Sequence, residues 1–251
     1  MIVVVGLAFE ARIAAGCGLP VICSGDGRNL TSNLKRAIAT GCTGLVSFGV
    51  AGGLDPALKA GTCVVGSAIV ADETFHETDR TWSQRLLEAM PGAVHGVLAG
   101  APGPVCTPAD KRRLNGATGA LAVDTESHLV ARAAAAHGLP MAAIRVIADP
   151  AHRGLPEAAL TAIRADGTTD VAAVLRSVMR KPRQLPALVR TALDARAARA
   201  TLLRGRRLLG PMPAVPPLRP VPELYPEPAA FAAETALATE TVQPDLSSAV
   251  G

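Results

Sequence analysis

Aromatic side chains are nearly missing from this 251-residue chain: one Trp, one Tyr and four Phe make up 2% of it. Single-stranded nucleic acids are gripped by stacking bases on aromatic platforms, so nucleic acid is set aside as a partner. The five cysteines, at 17, 23, 42, 63 and 106, are odd in number and form no CxxC pair, which argues against both a disulfide framework and a zinc site. No run approaches the ~20 uninterrupted apolar residues of a membrane span. Met1-Ile2-Val3-Val4-Val5-Gly6 has no basic segment and meets an acid at Glu10, so it reads as a first core strand and not as a secretion signal. The expected location is the cytoplasm.

Small and branched apolar residues are plentiful, and at 49% hydrophobic content the chain can bury a sizeable core. Short apolar runs at Ile2–Val5, Pro20–Cys23, Leu45–Phe48, Cys63–Val70, His95–Leu98, Leu121–Val123 and Met141–Ile147 suit buried strands. Helical stretches lie between them: Leu30–Thr40 stops at Gly41, and Glu126–His137 stops at Gly138-Leu139-Pro140. This alternation predicts an α/β protein, a three-layer sandwich around a central, largely parallel or mixed sheet. Ligands of such sheets sit beyond the carboxyl ends of the strands. Three strand ends carry suitable chemistry: Ser24-Gly25-Asp26-Gly27-Arg28, the run from Gly49 to Gly53, and Asp149-Pro150.

In "SFGVAGGLDPALKAGTCVVG", Ser47 to Gly66, an apolar strand ends in glycines at 49, 52 and 53 and a second strand follows soon after. Glycines there let a ligand approach the backbone closely, or simply make a tight turn. The spacing is not the dinucleotide fingerprint, because no long helix follows, and a nicotinamide-dependent oxidoreductase is disfavoured. His76-Glu77-Thr78-Asp79 has carboxylate and imidazole but neither helical His spacing nor a second cluster, and reads as a solvated loop.

The chain divides by composition. Residues 1–181 form the globular body, 182–210 a basic helical extension and 211–251 a Pro-rich tail expected to be disordered. From Lys181 to Gly210 eight basic side chains face Asp194 alone, a net +7 in a chain whose total is +4, which leaves the rest at −3.

Three motifs, "FGVAGGLDPALKAGTCVVG", "AVDTESHLVARAAAAHGLP" and "AIRVIADPA", stand in the order and spacing of the nucleoside phosphorylase and nucleosidase superfamily. The chain resembles its 5′-methylthioadenosine/S-adenosylhomocysteine nucleosidase branch over roughly residues 1–181. "GLAFEARIA", the Asp-Thr-Glu-Ser form of the second motif and the basic extension are most similar to the hopanoid-associated phosphorylases, bacterial proteins linked to removing adenine from adenosylhopane. The resemblance implies cleavage of a purine N-glycosidic bond, most of all in adenosylhopane, with a general methylthioadenosine/S-adenosylhomocysteine nucleosidase or a purine nucleoside phosphorylase as alternatives. It implies a small-molecule or lipid-linked nucleoside and a homo-oligomer; the basic helix, with Leu188, Val189, Leu193, Leu202, Leu203 and Leu209 as its apolar side, either makes peripheral contact with the anionic inner membrane or packs on the body or a second subunit.

The resemblance also assigns residues. Asp149 is the acid at the departing base or, alternatively, a cap on the turn before Pro150. Glu126 accepts hydrogen bonds from the ribose hydroxyls or, alternatively, favours the dipole of the helix it opens. Thr125 stands where the family has Met, and Val50 where nucleosidases have a small hydroxyl residue. Glu10, in the first strand–helix loop, orients a water nucleophile. Gly6, Arg12, Gly25, Gly27 and Arg28 would instead cradle phosphate as a co-substrate; no cofactor and no metal is expected. Gly49, Ala51, Gly52 and Gly53 form the floor under ribose and base, and Val105, Cys106 and Thr107 cover the base. Arg145 is expected to brace Asp124. A non-catalytic nucleoside- or lipid-binding module is the competing reading, motivated by Val50 and Thr125 and opposed by the presence of both Asp149 and Glu126.

Overall fold

The computed structural model describes residues 1–25, 29–160, 164, 167–168 and 170–208. Gly27, Arg28 and the segment 211–251 lie outside the described residues.

Eight strands form one mixed sheet: β1 (Ile2–Val5), β2 (Val21–Cys23), β3 (Leu45–Gly53), β4 (Cys63–Ala71), β5 (Thr74–Glu77), β6 (Val94–Gly100), β7 (Ala122–Asp124) and β8 (Met141–Asp149). Their order is β2-β1-β3-β7-β6-β4-β5, with β8 hydrogen-bonded to both β3 and β4. The pairings β3-β7-β6-β4-β8 thus close on themselves, and β2, β1 and β5 extend from that ring. β3 and β4 follow one another in sequence but do not pair; β8 lies between them, parallel to β3 and antiparallel to β4.

The sequence explains the elements. Val3, Val4 and Val5 have no exposed surface, as befits a β-branched strand covered on both faces. β1, β2, β3 and β8 run parallel, so the segments after Val5, Cys23, Val50 and Ala148 emerge at one end. Among the described residues there are eight α-helices: α1 (Ala8–Ala14), α2 (Leu30–Ala39), α3 (Arg80–Ala89), α4 (Pro108–Thr118), α5 (Ser127–Ala136), α6 (Glu157–Leu160), α7 (Val171–Arg180) and α8 (Leu185–Gly205). Leu30 and Leu34 of α2 and Val130, Ala131 and Ala134 of α5 join Ile2, Val4 and Leu45 in the main apolar core. α4 starts on the Thr107 hydroxyl, which accepts from Asp110 N, with Pro108 at its first position.

β5 corrects the expectation of a loop at 76–79. Ala71 pairs with Thr74 across a two-residue turn in which Asp72 and Glu73 both have positive φ, 48° and 61°. That is the twist a tight hairpin requires, built here without the glycine that normally signals it. Thr78 is buried with its hydroxyl donating to Gly66 O, and Asp79 caps α3 by accepting from Trp82 N.

The far half of α8 is seated on the body. Ala198, Thr201, Leu202 and Gly205 are buried, and Thr201 Oγ1 donates to Gly61 O at 2.9 Å.

Candidate active site

Glu10 sits one turn inside α1, not in the loop before it, and its side chain reaches back over the end of β1. Its Oε2 accepts from Gly6 N at 2.9 Å and Leu7 N at 2.8 Å, and its Oε1 accepts from Val50 N at 2.6 Å. Three amides from two parallel strand ends therefore converge on one carboxylate that is 1% exposed. Burial pushes its pKa up to about 7, against the pull of Arg145 and the Val50 amide.

Arg145, wholly enclosed in β8, organises the acids around it. Its Nη2 donates to Asp124 Oδ1 at 2.9 Å and to Ser47 Oγ at 2.7 Å, its Nη1 reaches Val50 O at 3.4 Å, and Glu126 Oε2 lies 3.5 Å away. Asp124 Oδ1 in turn accepts from Glu126 N and Ser127 N, capping α5 and fixing where Glu126 stands. Burial raises the Glu126 pKa, opposed by Arg145. Thr125 donates its hydroxyl to Glu126 Oε1. The threonine thus orients the carboxylate.

The glycines make room for the protein's own side chains. A Cβ on Gly6 would lie 2.8 Å from Glu126 Oε1, and one on Gly49 2.5 Å from Glu10 Oε1 and 2.6 Å from Arg145 Nη1. Neither carboxylate could hold its place beside alanine. At Gly52 the nearest atom would be Asp149 Oδ2, at 3.2 Å, and at Gly53 Ile147 Cγ2, at 3.1 Å.

Asp149 ends β8. Ala51 pairs with Ile147 and Gly52 with Asp149, so Ala148 is an extra residue, and this bulge re-aims the aspartate. Gly49 and Gly52, which mark the Glu10 and Asp149 stations, are three residues apart on β3, about 10 Å at the usual strand rise. Cys106 lies on the Asp149 side: Asp149 adds to the burial that raises its thiol pKa, and Cys106 O accepts from Leu155 N. Val105 packs with Leu54, Val70 and Val123.

The phosphate candidates are placed differently. Arg12 is exposed on α1, whereas Glu10, Ile13 and Ala14 form its buried side. Gly25 N donates to Gly6 O, and Arg28 lies outside the described residues. The Gly6 amide is already taken by Glu10. Lys111, which escapes sequence reasoning, has no exposure and puts its Nζ 2.5 Å from Asp149 Oδ2. Its one sequence signal is position: it precedes Leu114 by three and so shares that residue's inward face.

The description of one family model, the phosphorylase superfamily, matches residues 8–193. The chain belongs to the phosphorylase superfamily. The matched span takes in Glu10, Glu126 and Asp149 and stops within the first half of α8. No curated protein matches the sequence. Among solved structures, the superfamily fold recurs in the 5′-methylthioadenosine/S-adenosylhomocysteine nucleosidase of Helicobacter pylori, complexed with a substituted pyrrolidin-3-ol, with 20% identity over 72% of this chain and 97% of that one (TM-score 0.55). The futalosine hydrolase of Helicobacter pylori gives 21% identity over 72% and 97% (TM-score 0.55). The methylthioadenosine/S-adenosylhomocysteine nucleosidase of S. pneumoniae, with a transition-state inhibitor, gives 14% over 82% and 98% (TM-score 0.56). At these identities the likeness is one of fold.

Glu10 carries a pH-dependent cost that can be measured. Its pKa rises from 4.5 to about 7 on folding, so its contribution to stability is fully present below pH 4.5 and is lost as pH rises through about 7. The difference amounts to about 3 kcal/mol. Denaturant unfolding from pH 4.5 to 8 should show this loss in the wild type, and Glu10→Gln should flatten it. Parallel pH profiles for the two proteins would mean that the carboxylate is not buried as described.

Proposed function

We propose that the protein hydrolyses the N-glycosidic bond of a purine nucleoside, with water as the nucleophile. The observation that carries this reading is the burial of Glu10 beside Glu126 and Arg145, with the Gly6, Leu7 and Val50 amides spent on Glu10, while Asp149 ends the neighbouring strand β8. Those amides would be the natural cradle for phosphate, and a carboxylate now fills them with negative charge. Glu10 Oε1 accepts one amide bond, which leaves it a lone pair for a water molecule.

The chemistry follows from the placements. As the C1′–N9 bond breaks, positive charge grows on the ribose and negative charge on the base. Glu126 holds the ribose hydroxyls and steadies the developing cation. Asp149 gives its proton to the purine ring nitrogen. The water oxygen bonds to C1′ while its proton passes to Glu10, and exchange with solvent returns both acids to their starting states. The products are free base and free sugar. Added phosphate should leave the rate and the sugar product unchanged; a sugar 1-phosphate formed only with phosphate present would overturn the assignment of water.

Within that class, the substrate we favour is adenosylhopane, in keeping with the resemblance to the hopanoid-associated branch. An exposed surface supports it. Val171, Leu175 and Met179 of α7, and Leu185, Val189 and Leu193 of α8, recur every four residues and are each at least 49% exposed. Exposed Arg176, Arg180, Lys181, Arg183 and Arg190 accompany them. Leu202, which sequence alone would assign to this apolar side, is buried against the body, and Leu209 lies outside the described residues. Among the described residues no helix is long and apolar enough to cross a membrane, so contact would be peripheral. Each arginine near an anionic surface is worth about 1 kcal/mol. Full-length protein should sediment with anionic vesicles at low salt and not with neutral ones, and Val189→Asp with Leu193→Asp should lose this while still cleaving a soluble adenosine analogue. Absence of wild-type binding to anionic vesicles would remove the lipid-linked substrate but not the nucleosidase.

A further inference from the structure

Lys111 and Arg145 are the two basic side chains that show no exposure among the described residues. Arg145 belongs to the Glu10–Glu126 cluster. Lys111 stands apart, projecting from α4 into the turn that follows β8.

Its Nζ lies 2.5 Å from Asp149 Oδ2, 3.0 Å from Asp149 O, 3.2 Å from Pro150 O and 3.0 Å from Arg153 O. Four oxygens surround a group that has three hydrogens as an ammonium. A neutral amine would offer two hydrogens and aim its lone pair at an oxygen, so this cage is built for the charged form. The carbonyls come from three residues of one turn, and the amine closes that turn as a clasp. Asp149 Oδ2 is committed to the clasp, while Oδ1 accepts no hydrogen bond among the described residues.

We propose that Lys111 is a positioning residue for the reaction: it fixes Oδ2 and the turn Asp149–Arg153, aims Oδ1 at the purine, and governs at what pH the Asp149 carboxyl carries its proton. The inference rests on the reading of Asp149 as the group that meets the base. Its geometry is independent of which nucleoside binds.

The groups facing Asp149 can be named. Lys111 comes from α4, Cys106 from the segment before α4, and Asp194 from α8, where it is paired with Arg153. Burial raises the Asp149 pKa most, Lys111 opposes it by charge and by hydrogen bond, and Asp194 adds to the rise. Lys111 is therefore the group that favours the ionised Asp149 carboxylate against burial. Without it the carboxyl would hold its proton too firmly to give it up, and Oδ2 would be free to rotate.

The test reads Asp149 directly. In full-length protein carrying 13C-labelled aspartate, the Asp149 carboxyl resonance is assigned by its loss in Asp149→Asn and titrated with pH. Lys111→Gln keeps hydrogen-bond donors for the carbonyls but removes the charge, and should move the midpoint upward by about 1–3 units, the span expected for losing an adjacent opposite charge. Lys111→Arg keeps the charge and should return the midpoint towards the wild-type value. In purine release Lys111→Gln should lower kcat more than it changes KM. An unmoved midpoint in folded Lys111→Gln would overturn the proposal. Should that variant not fold, the wild-type titration decides: a midpoint below neutral supports the proposal, and one above neutral shows burial prevailing over Lys111 and ends it. A wild type that releases no purine but shows the titration shift would instead count against the reaction.

Discussion

Replacing Asp149 by asparagine is expected to lower turnover by about 10² or more, the loss typical of removing a general acid, while nucleoside binding stays within a few-fold of wild type. The side chain keeps its shape at the end of β8, and the asparagine oxygen can still accept from Lys111. What disappears is the proton for the departing base. The substitution also leaves a buried ammonium without its counter-charge, a situation that costs about 3–5 kcal/mol when nothing compensates. Three carbonyls remain around Nζ, so the folded protein should survive with a lowered melting temperature. Single-turnover rates on protein shown to be folded separate the two effects. Turnover near wild type would remove Asp149 from the acid role.

Glu126→Gln should act on a different part of the substrate. Glu126 is held by Asp124 through its amide, by Thr125 through Oε1 and by Arg145 at 3.5 Å, so the glutamine will occupy nearly the same space. Two charge-assisted hydrogen bonds to ribose hydroxyls weaken to neutral ones, and charge opposite the developing cation is lost. For ribosides kcat/KM should fall by roughly 10²-fold, with binding and turnover both affected. Free adenine has no hydroxyls, and its dissociation constant, measured by calorimetry, should hardly change. An equal loss for adenine and ribosides would assign Glu126 to folding, through the start of α5.

Much of this was legible in the sequence. Apolar runs marked β1 and, around the enclosed Arg145, β8, because strands buried on both faces are apolar at nearly every position. Gly41 and Gly138 marked helix ends, as their positive φ of 98° and 59° requires. The three acids stand in the motifs that suggest their roles, and the structure buries Glu10 and Glu126 beside Arg145 and sets Asp149 against Lys111. Arg145 was read as the brace of Asp124, where the structure puts it.

Other features left no local trace. β5 was missed because its turn uses Asp72 and Glu73 where Asn-Gly or Asp-Gly would have announced a hairpin. α1 is only seven residues long and an acid, Glu10, shares its inward side with Ile13 and Ala14, so no apolar stripe revealed it. The glycines at 49 and 52 were read as a floor for a ligand, but which side chain fills the space beside a glycine is a tertiary fact. Lys111 sits between Asp110 and Arg112 in a helix start that looks fully solvated; that its amine is enclosed depends on a turn nearly forty residues later. The bulge at Ala148, which aims Asp149, is a matter of register between strands and not of composition.

The measurement that bears most directly on the central claim is chromatography of 5′-methylthioadenosine and other 5′-substituted adenosines incubated with purified full-length protein in phosphate-free buffer. The account predicts free adenine in an amount equal to the nucleoside lost, released by the wild type and nearly abolished in Asp149→Asn. Nucleosides that bind by calorimetry yet are recovered intact after prolonged incubation would contradict it and make the protein a binding module.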